Sequence, residues 1–188
     1  MRVNQWQGCL NQQMLIRNSK SNDESDILNI HLSAFGETEG KEVAELASNL
    51  LHESTEYSIL SFVSEDNGSL IGHVIFSEVR FLDCALNAYI LAPLAVIPNY
   101  QKRKVGSSLI EHGINILSSK GVEIVFVYGD PAYYSRFGFS TDHSKLFVPP
   151  YKLQYSFGWQ LKQLKDCVLP NTPISLLCVQ SLMKPELW

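Results

Sequence analysis

Leu94-Ala95-Val96-Ile97-Pro98-Asn99-Tyr100-Gln101-Lys102-Arg103-Lys104-Val105-Gly106-Ser107-Ser108-Leu109 is the stretch on which the fold turns. It leaves an apolar strand, crosses a short loop and enters a helix. The strand spans about Ala88 to Ile97 and is nearly all apolar, as expected of a strand buried on both faces. Pro93 lies inside it. Proline has no N–H for the ladder, so pairing must be interrupted there, at a bulge or an opened edge. The helix spans Val105 to Lys120, with Leu109, Ile110, Gly113, Ile114 and Leu117 at inward spacing, and Gly121 closes it. Val122 to Tyr128 is again apolar and β-branched, which makes residues 88–128 a parallel strand–helix–strand crossover of the right-handed kind.

Strand and helix patterns also alternate on either side of this unit. Met14 to Arg17 reads as a short strand. Ser21 and Glu24 have capping-box spacing, ahead of a helix with Ile27, Ile30, His31, Ala34 and Phe35 on one face. Gly36 ends it. A second helix carries Val43, Leu46, Ala47, Leu50 and Leu51. Two extended runs, Tyr57 to Val63 and Ser69 to Val79, flank Asn67-Gly68, a hairpin signal because both residues tolerate positive φ. Pro131 to Phe137 reads as one or two helical turns with Asp130 as cap and Pro131 at the first position. Further strands are expected near Ser156 to Leu161 and Ile174 to Gln180. The hairpin makes the sheet mixed, so the architecture is α/β (α+β by some schemes) and three-layered, around one central sheet.

Composition limits the function. The chain has 188 residues, 15 basic against 19 acidic side chains and a net charge of −4. A polyanion-binding surface needs a surplus of Lys and Arg, so a nucleic-acid partner is not expected. Met1 to Gln13 lack the apolar core of a signal peptide, and no apolar run approaches the roughly 18 residues of a membrane span. The four cysteines (Cys9, Cys84, Cys167 and Cys178) are scattered, without CxxC pairs. Neither a metal nor a disulfide framework is expected, and the default compartment is the cytoplasm. Residues 14–188 are expected to form a single domain, as monomer or homodimer, with 1–13 as an extension outside the core.

The chemistry concentrates at the start of the 105–120 helix. A helix N-terminus presents unpaired N–H groups and the positive end of the dipole, and so favours an anion such as a phosphate. Gly106 would let a phosphate approach the backbone. Lys102, Arg103 and Lys104 crowd cations at an end whose dipole repels them unless an anion sits there. A solvated basic turn is the plain alternative.

These residues resemble the coenzyme-binding motif of the GNAT superfamily of N-acetyltransferases, Q/R-x-x-G-x-G/A after a strand ending in Val-x-Pro. Gln101 and Gly106 match; Lys104 replaces the first glycine. Gly129-Asp130-Pro131-Ala132-Tyr133-Tyr134-Ser135-Arg136-Phe137-Gly138-Phe139 resembles the family's Tyr-x-x-x-Gly-Phe element, in a form suggesting a poorly characterised bacterial branch. The order of elements matches from about residue 14 to 162. The resemblance implies a central mixed, twisted sheet of about seven strands with helices on both faces. It also implies an acetyl-CoA-dependent enzyme without a metal.

In such folds two parallel strands splay and the pantetheine arm pairs with the free backbone between them. By family position Leu94, Ala95 and Val96 would meet the pantetheine and acetyl group. Gln101, Lys102, Arg103, Lys104, Val105, Gly106 and Ser107 would form the pyrophosphate loop. A primary amine, from a small metabolite, peptide or protein, would attack the thioester directly, and Tyr134 holds the position of the general acid that protonates the departing thiolate. Tyr133, its neighbour, points about 100° away on a helix. Glu78 is a candidate base, as are Glu37 and Glu39; His73, within an apolar strand, reads as a satisfied sheet histidine. Lysine at position 104 costs about 1 kcal/mol if φ is positive there. The acceptor pocket would draw on the first two helices, on 81–87 and on the aromatic 148–159 segment. The competing reading is a non-catalytic acyl-CoA-binding or interaction module on the same scaffold.

Overall fold

The computed structural model describes residues 14–82 and 84–188. The expected extension at 1–13 lies outside them. The order of elements is β1 (Leu15–Asn18), α1 (Glu24–Phe35), α2 (Glu39–Leu51), β2 (Ile59–Asp66), β3 (Ser69–Phe81), β4 (Ala88–Val96), α3 (Val105–Ser119), β5 (Ile124–Tyr128), α4 (Pro131–Tyr134), β6 (Phe147–Val148), β7 (Trp159–Gln163) and β8 (Ile174–Leu177). The sheet has eight strands in the order β1-β2-β3-β4-β5-β7, with β8 pairing β3 and β6. It is mixed: β4 and β5 are parallel, while β1 to β4 form an antiparallel meander.

Helices cover both faces. Leu46 and Leu50 of α2 share a core with Ile75, Ile90, Phe126 and Trp159. On the other face Val105, Leu109, Ile110 and Leu117 of α3 pack with Phe76, Leu91, Val125 and Val127. Alternation along each strand sends neighbouring residues to opposite layers, as Ile90 and Leu91 show. Gly113 brings α3 close to the sheet, for a Cβ there would lie 2.1 Å from Phe76 Cε2. The Asn67-Gly68 turn has φ of 52° and 79°, the doubly positive pair of a tight hairpin.

Local chemistry differs from expectation in three places. Ser21 opens a 3-10 turn over Ser21–Asp23 instead of capping α1. Asp23 stands at the start of α1 without a side-chain cap bond to it; its carboxylate accepts instead from the N–H of Lys20 at 2.7 Å and from Arg17 Nη1 and Nη2 at 2.7 and 3.0 Å. Arg17 also donates to Glu65 at 3.0 Å, so one guanidinium ties β1 to α1 and β2. In the tail, Ser156–Gly158 is a 3-10 turn and the strand begins at Trp159. The strand expected over Ile174 to Gln180 ends at Leu177, and Gln180 opens a 3-10 turn instead. Asp130 caps α4 as expected, accepting from the N–H of Ala132 at 2.9 Å.

Candidate active site

The site begins where β4 and β5 part. Their pairing covers Ala88–Leu91 against Ile124–Val127 and then stops. Beyond it Leu94–Val96 stay paired only with Gly72–Val74 of β3, and the β3–β4 register shifts opposite Ala92-Pro93. The interruption expected from Pro93 is therefore both a bulge and an opened edge.

The free edge can be assigned group by group. Ile97 donates its N–H to Ile71 O at 3.1 Å, toward β3. Backbone polar groups alternate in direction along a strand, so Ala95 also faces β3, while Leu94 and Val96 face the gap left by β5. Gln101 Nε2 donates to Val96 O at 3.0 Å. The N–H groups of Leu94 and Val96 and the carbonyl of Leu94 remain available to an extended guest chain.

The loop that follows is bent by two non-glycine residues in the left-handed region, Lys102 (φ 60°) and Lys104 (φ 66°). Such residues flanking one of ordinary hand curl the chain so that successive N–H groups converge, the geometry of an anion-binding nest. The first helical bond of α3 runs from Ser108 N–H to Lys104 O at 2.9 Å. The N–H groups of Val105, Gly106 and Ser107 consequently have no partner within the helix. A positive φ costs a side-chain-bearing residue about 1 kcal/mol or more, and strain of this kind clusters where ligands are held. Lys104→Gly is expected to raise the unfolding free energy of the ligand-free protein by about 0.5 to 1 kcal/mol, after the entropy of a glycine in the unfolded chain is subtracted. A urea midpoint that stays put or falls would refute that account.

Edge, loop and helix start enclose a cavity of about 570 Å³, bounded by Phe35 at the end of α1 and by Tyr133 and Arg136. Leu94, Ala95, Val96, Gln101, Lys102, Lys104, Val105, Gly106 and Ser107 all line it. Arg103 does not; its guanidinium lies 5.2 Å from the ring centroid of Tyr100. Gly106 has a different neighbour from the one expected, since a Cβ there would meet Tyr133 Oη at 2.7 Å. Its bareness makes room for that tyrosine. Lys102, Lys104 and Arg136 give the lining three cations and no carboxylate. Tyr133 and Arg136 carry no independent signal as lining residues beyond the motif that contains them. They act as a unit: Arg136 donates to Tyr133 O at 3.1 Å and stands 4.3 Å above its ring.

Tyr134 sits behind this wall, at the end of β5. A Cβ on Gly129 would lie 2.5 Å from Tyr134 Cε2, so the ring rests directly on the Gly129 backbone. It packs edge-on against Tyr133 and Phe139, at 5.0 and 5.8 Å between centroids. Burial raises its phenol above the ordinary tyrosine range, with Tyr133 adding to the rise. Glu78 is not brought to the cavity. It pairs with Arg80 Nε at 2.8 Å and accepts from the N–H of Ser58 at 2.8 Å, at the end of β3 opposite Tyr89. Glu37 and Glu39 are exposed and also outside the lining.

His73 is satisfied within the sheet, as expected, but its partner was not legible. His31 Nε2 and His73 Nδ1 are 2.8 Å apart, and His73 Nε2 meets Ser61 Oγ at 2.8 Å. Both rings are fully buried. Desolvation depresses the pKa of His31 to about 4 and holds His73 well below the usual imidazole range. The pair is neutral at pH 7.

An opened parallel strand pair, a cationic nest at the following helix and a tyrosine at the end of the next strand define an acyl-coenzyme acyltransferase fold. The model of the Acetyltransferase (GNAT) domain family matches residues 15–141, and the chain belongs to that family. The uncharacterized N-acetyltransferase YjhQ of Escherichia coli K12 is 37% identical over 148 residues, covering 76% of this chain and 80% of YjhQ. The crystal structure of the E. coli GNAT family N-acetyltransferase YhbS in complex with CoA superimposes with a TM-score of 0.77 at 26% identity, covering 92% of this chain and 93% of that one. A Brucella melitensis GNAT family acetyltransferase in complex with acetyl-CoA gives a TM-score of 0.66 at 26% identity, covering 87% and 95%. The protein is an acyltransferase. Among the described residues no helix is long and apolar enough to cross a membrane.

Proposed function

We propose that the chain is an acetyl-CoA-dependent N-acetyltransferase that transfers the acetyl group directly to a primary amine. The observation that carries this reading is the Leu94–Val96 edge, unpaired on its β5 side, continuing into a nest and helix start whose cavity has only cations among its charged lining residues. The pantetheine amides pair with Leu94 and Val96, and the pyrophosphate takes the N–H groups from Lys102 to Ser107 together with the charges of Lys102, Lys104 and Arg136. Coenzyme complexes of the YhbS and Brucella proteins support this placement.

A strand N–H near Leu94 to Val96 polarises the thioester carbonyl and holds the oxyanion of the tetrahedral intermediate, an effect commonly worth about 3 kcal/mol per donor. Tyr134 then protonates the departing thiolate. Burial keeps the phenol protonated at any pH where an amine is free to attack, while making it a weaker acid than an ordinary tyrosine. Glu78, engaged with Arg80 and Ser58, serves the end of β3 in this reading. Titration with acetyl-CoA and free-thiol assay over an amine panel test the proposal. Saturable coenzyme binding and thiol release are expected; no binding at millimolar coenzyme by calorimetry would overturn it.

A further inference from the structure

A second cavity, of about 350 Å³, opens at the end of β5 and is walled by Tyr128, Asp130, Tyr155, Phe157, Glu186 and Trp188. That volume lies within the range of small-molecule sites. Tyr128 and Trp188 belong to the α2-side core, whereas Tyr133 and Val105 of the coenzyme cavity belong to the α3-side core. The two cavities therefore lie on opposite faces of the sheet. Gly129 lines the second cavity and carries the ring of Tyr134, which packs in turn on Tyr133 of the coenzyme cavity wall. Here the β4–β5 gap opens, with Leu94–Val96 as one bank and Tyr128–Asp130 as the other.

The charge of this cavity is the reverse of the other. Its lining has two carboxylates, Asp130 and Glu186, and no cation. Asp130 spends Oδ1 on the Ala132 N–H, and Glu186 forms no ion pair among the described residues. Tyr155 and Phe157 are 54% and 63% exposed, with centroids 5.7 Å apart, and Tyr128 stacks on Trp188. Exposed aromatics beside free carboxylates are costly surface for a chain to leave uncovered, and they match a cation with an alkyl stem.

Resting on the acetyl-transfer reading, we propose that the acceptor is a small amine carrying a second cationic group, such as a short aliphatic diamine, bound in this cavity. The amino group that reacts must be neutral when it attacks, so the carboxylates serve the group that stays charged. In the reaction the neutral nitrogen bonds to the thioester carbonyl carbon and the C–S bond breaks. The sulfur takes the Tyr134 phenol proton, the nitrogen releases one proton to water at the open cavity, and the tyrosinate recovers a proton from solvent.

The test compares a diamine, a monoamine of equal chain length, an α-amino acid and a lysine-containing peptide as acceptors for the full chain with acetyl-CoA. The diamine is expected to exceed the monoamine at least about tenfold in kcat/KM. Glu186→Gln is expected to collapse that ratio about tenfold, through a raised diamine KM. Calorimetry should show the diamine binding the CoA-saturated protein, more weakly in the variant and at high salt. Equal rates for diamine and monoamine, or a preference for the amino acid or peptide, would overturn the acceptor class and leave acetyl transfer standing. Failure of coenzyme to bind would overturn the transfer reading itself, and the acceptor with it.

Discussion

Tyr134→Phe is expected to lower kcat by about 10² to 10³-fold while the dissociation constant of acetyl-CoA stays within about twofold of wild type. The substitution removes one hydroxyl and keeps the ring, and the ring is what the fold uses, against Gly129, Tyr133 and Phe139. If the phenol supplies the proton to the thiolate, its loss acts in the transition state and leaves ground-state binding alone. The same assignment predicts the alkaline behaviour. A phenol held above its ordinary pKa does not set a falling limb below about pH 10, so kcat should not decline between about pH 8 and 10 on its account. Tyr133→Phe makes the contrast, because Tyr133 lines the coenzyme cavity and packs over Gly106; its effect should fall on coenzyme affinity. A parallel loss of affinity and turnover in Tyr134→Phe would assign Tyr134 to packing.

Acid should destabilise the protein well before its carboxylates titrate. His31 and His73 are neutral in the fold, with His31 depressed to about 4, but in the unfolded chain each binds a proton below about pH 6.5. Between these values the unfolded state holds protons that the folded state refuses, so stability falls as pH drops through that window and is whole above it. For His31 the loss approaches roughly 3 kcal/mol by pH 4. The groups facing the pair are Ser61, hydrogen-bonded to His73, and Asp23, whose charge raises the pKa of His73 slightly without offsetting burial. Asp23 itself is held below its usual pKa by Arg17, so its own contribution disappears only at lower pH. Urea midpoints at pH 7.5, 5.5 and 4.5 should decline steadily, and His31→Phe should flatten the decline. A midpoint constant from pH 7.5 to 4.5 would remove the basis for the prediction.

Much of this architecture could be read from residue patterns because those patterns report local physics. Alternation and helical spacing reflect which side of an element is dry, and the β4-α3-β5 unit, the hairpin and the Asp130 cap follow from that. Pro93 announced the break in pairing because a missing N–H has the same consequence in any sheet. The misreadings occurred where two local solutions compete. Ser21 and Asp23 both can cap, yet Ser21 opens a 3-10 turn and the Asp23 carboxylate is taken by Arg17 and the Lys20 N–H. At the tail, the ends of the two expected strands, Ser156–Gly158 and Gln180, turn instead, and Trp159 and Leu182 enter the α2-side core.

The site divides in the same way. A helix start with its cluster of cations is contiguous in the chain, so nine of the ten residues expected to hold coenzyme line one cavity. Glu78 lies outside that cavity, and its surroundings are set by Arg80 and by Ser58, just before β2. The sequence by itself determined a three-layer sheet domain with an interrupted strand and an anion-seeking helix start. Both are properties of backbone groups and short spacings. It took the folded chain to reveal the acidic cavity at the end of β5 and the meeting of His31 with His73, because these join residues more than 40 positions apart, Asp130 with Glu186 and His31 with His73, which no local pattern connects.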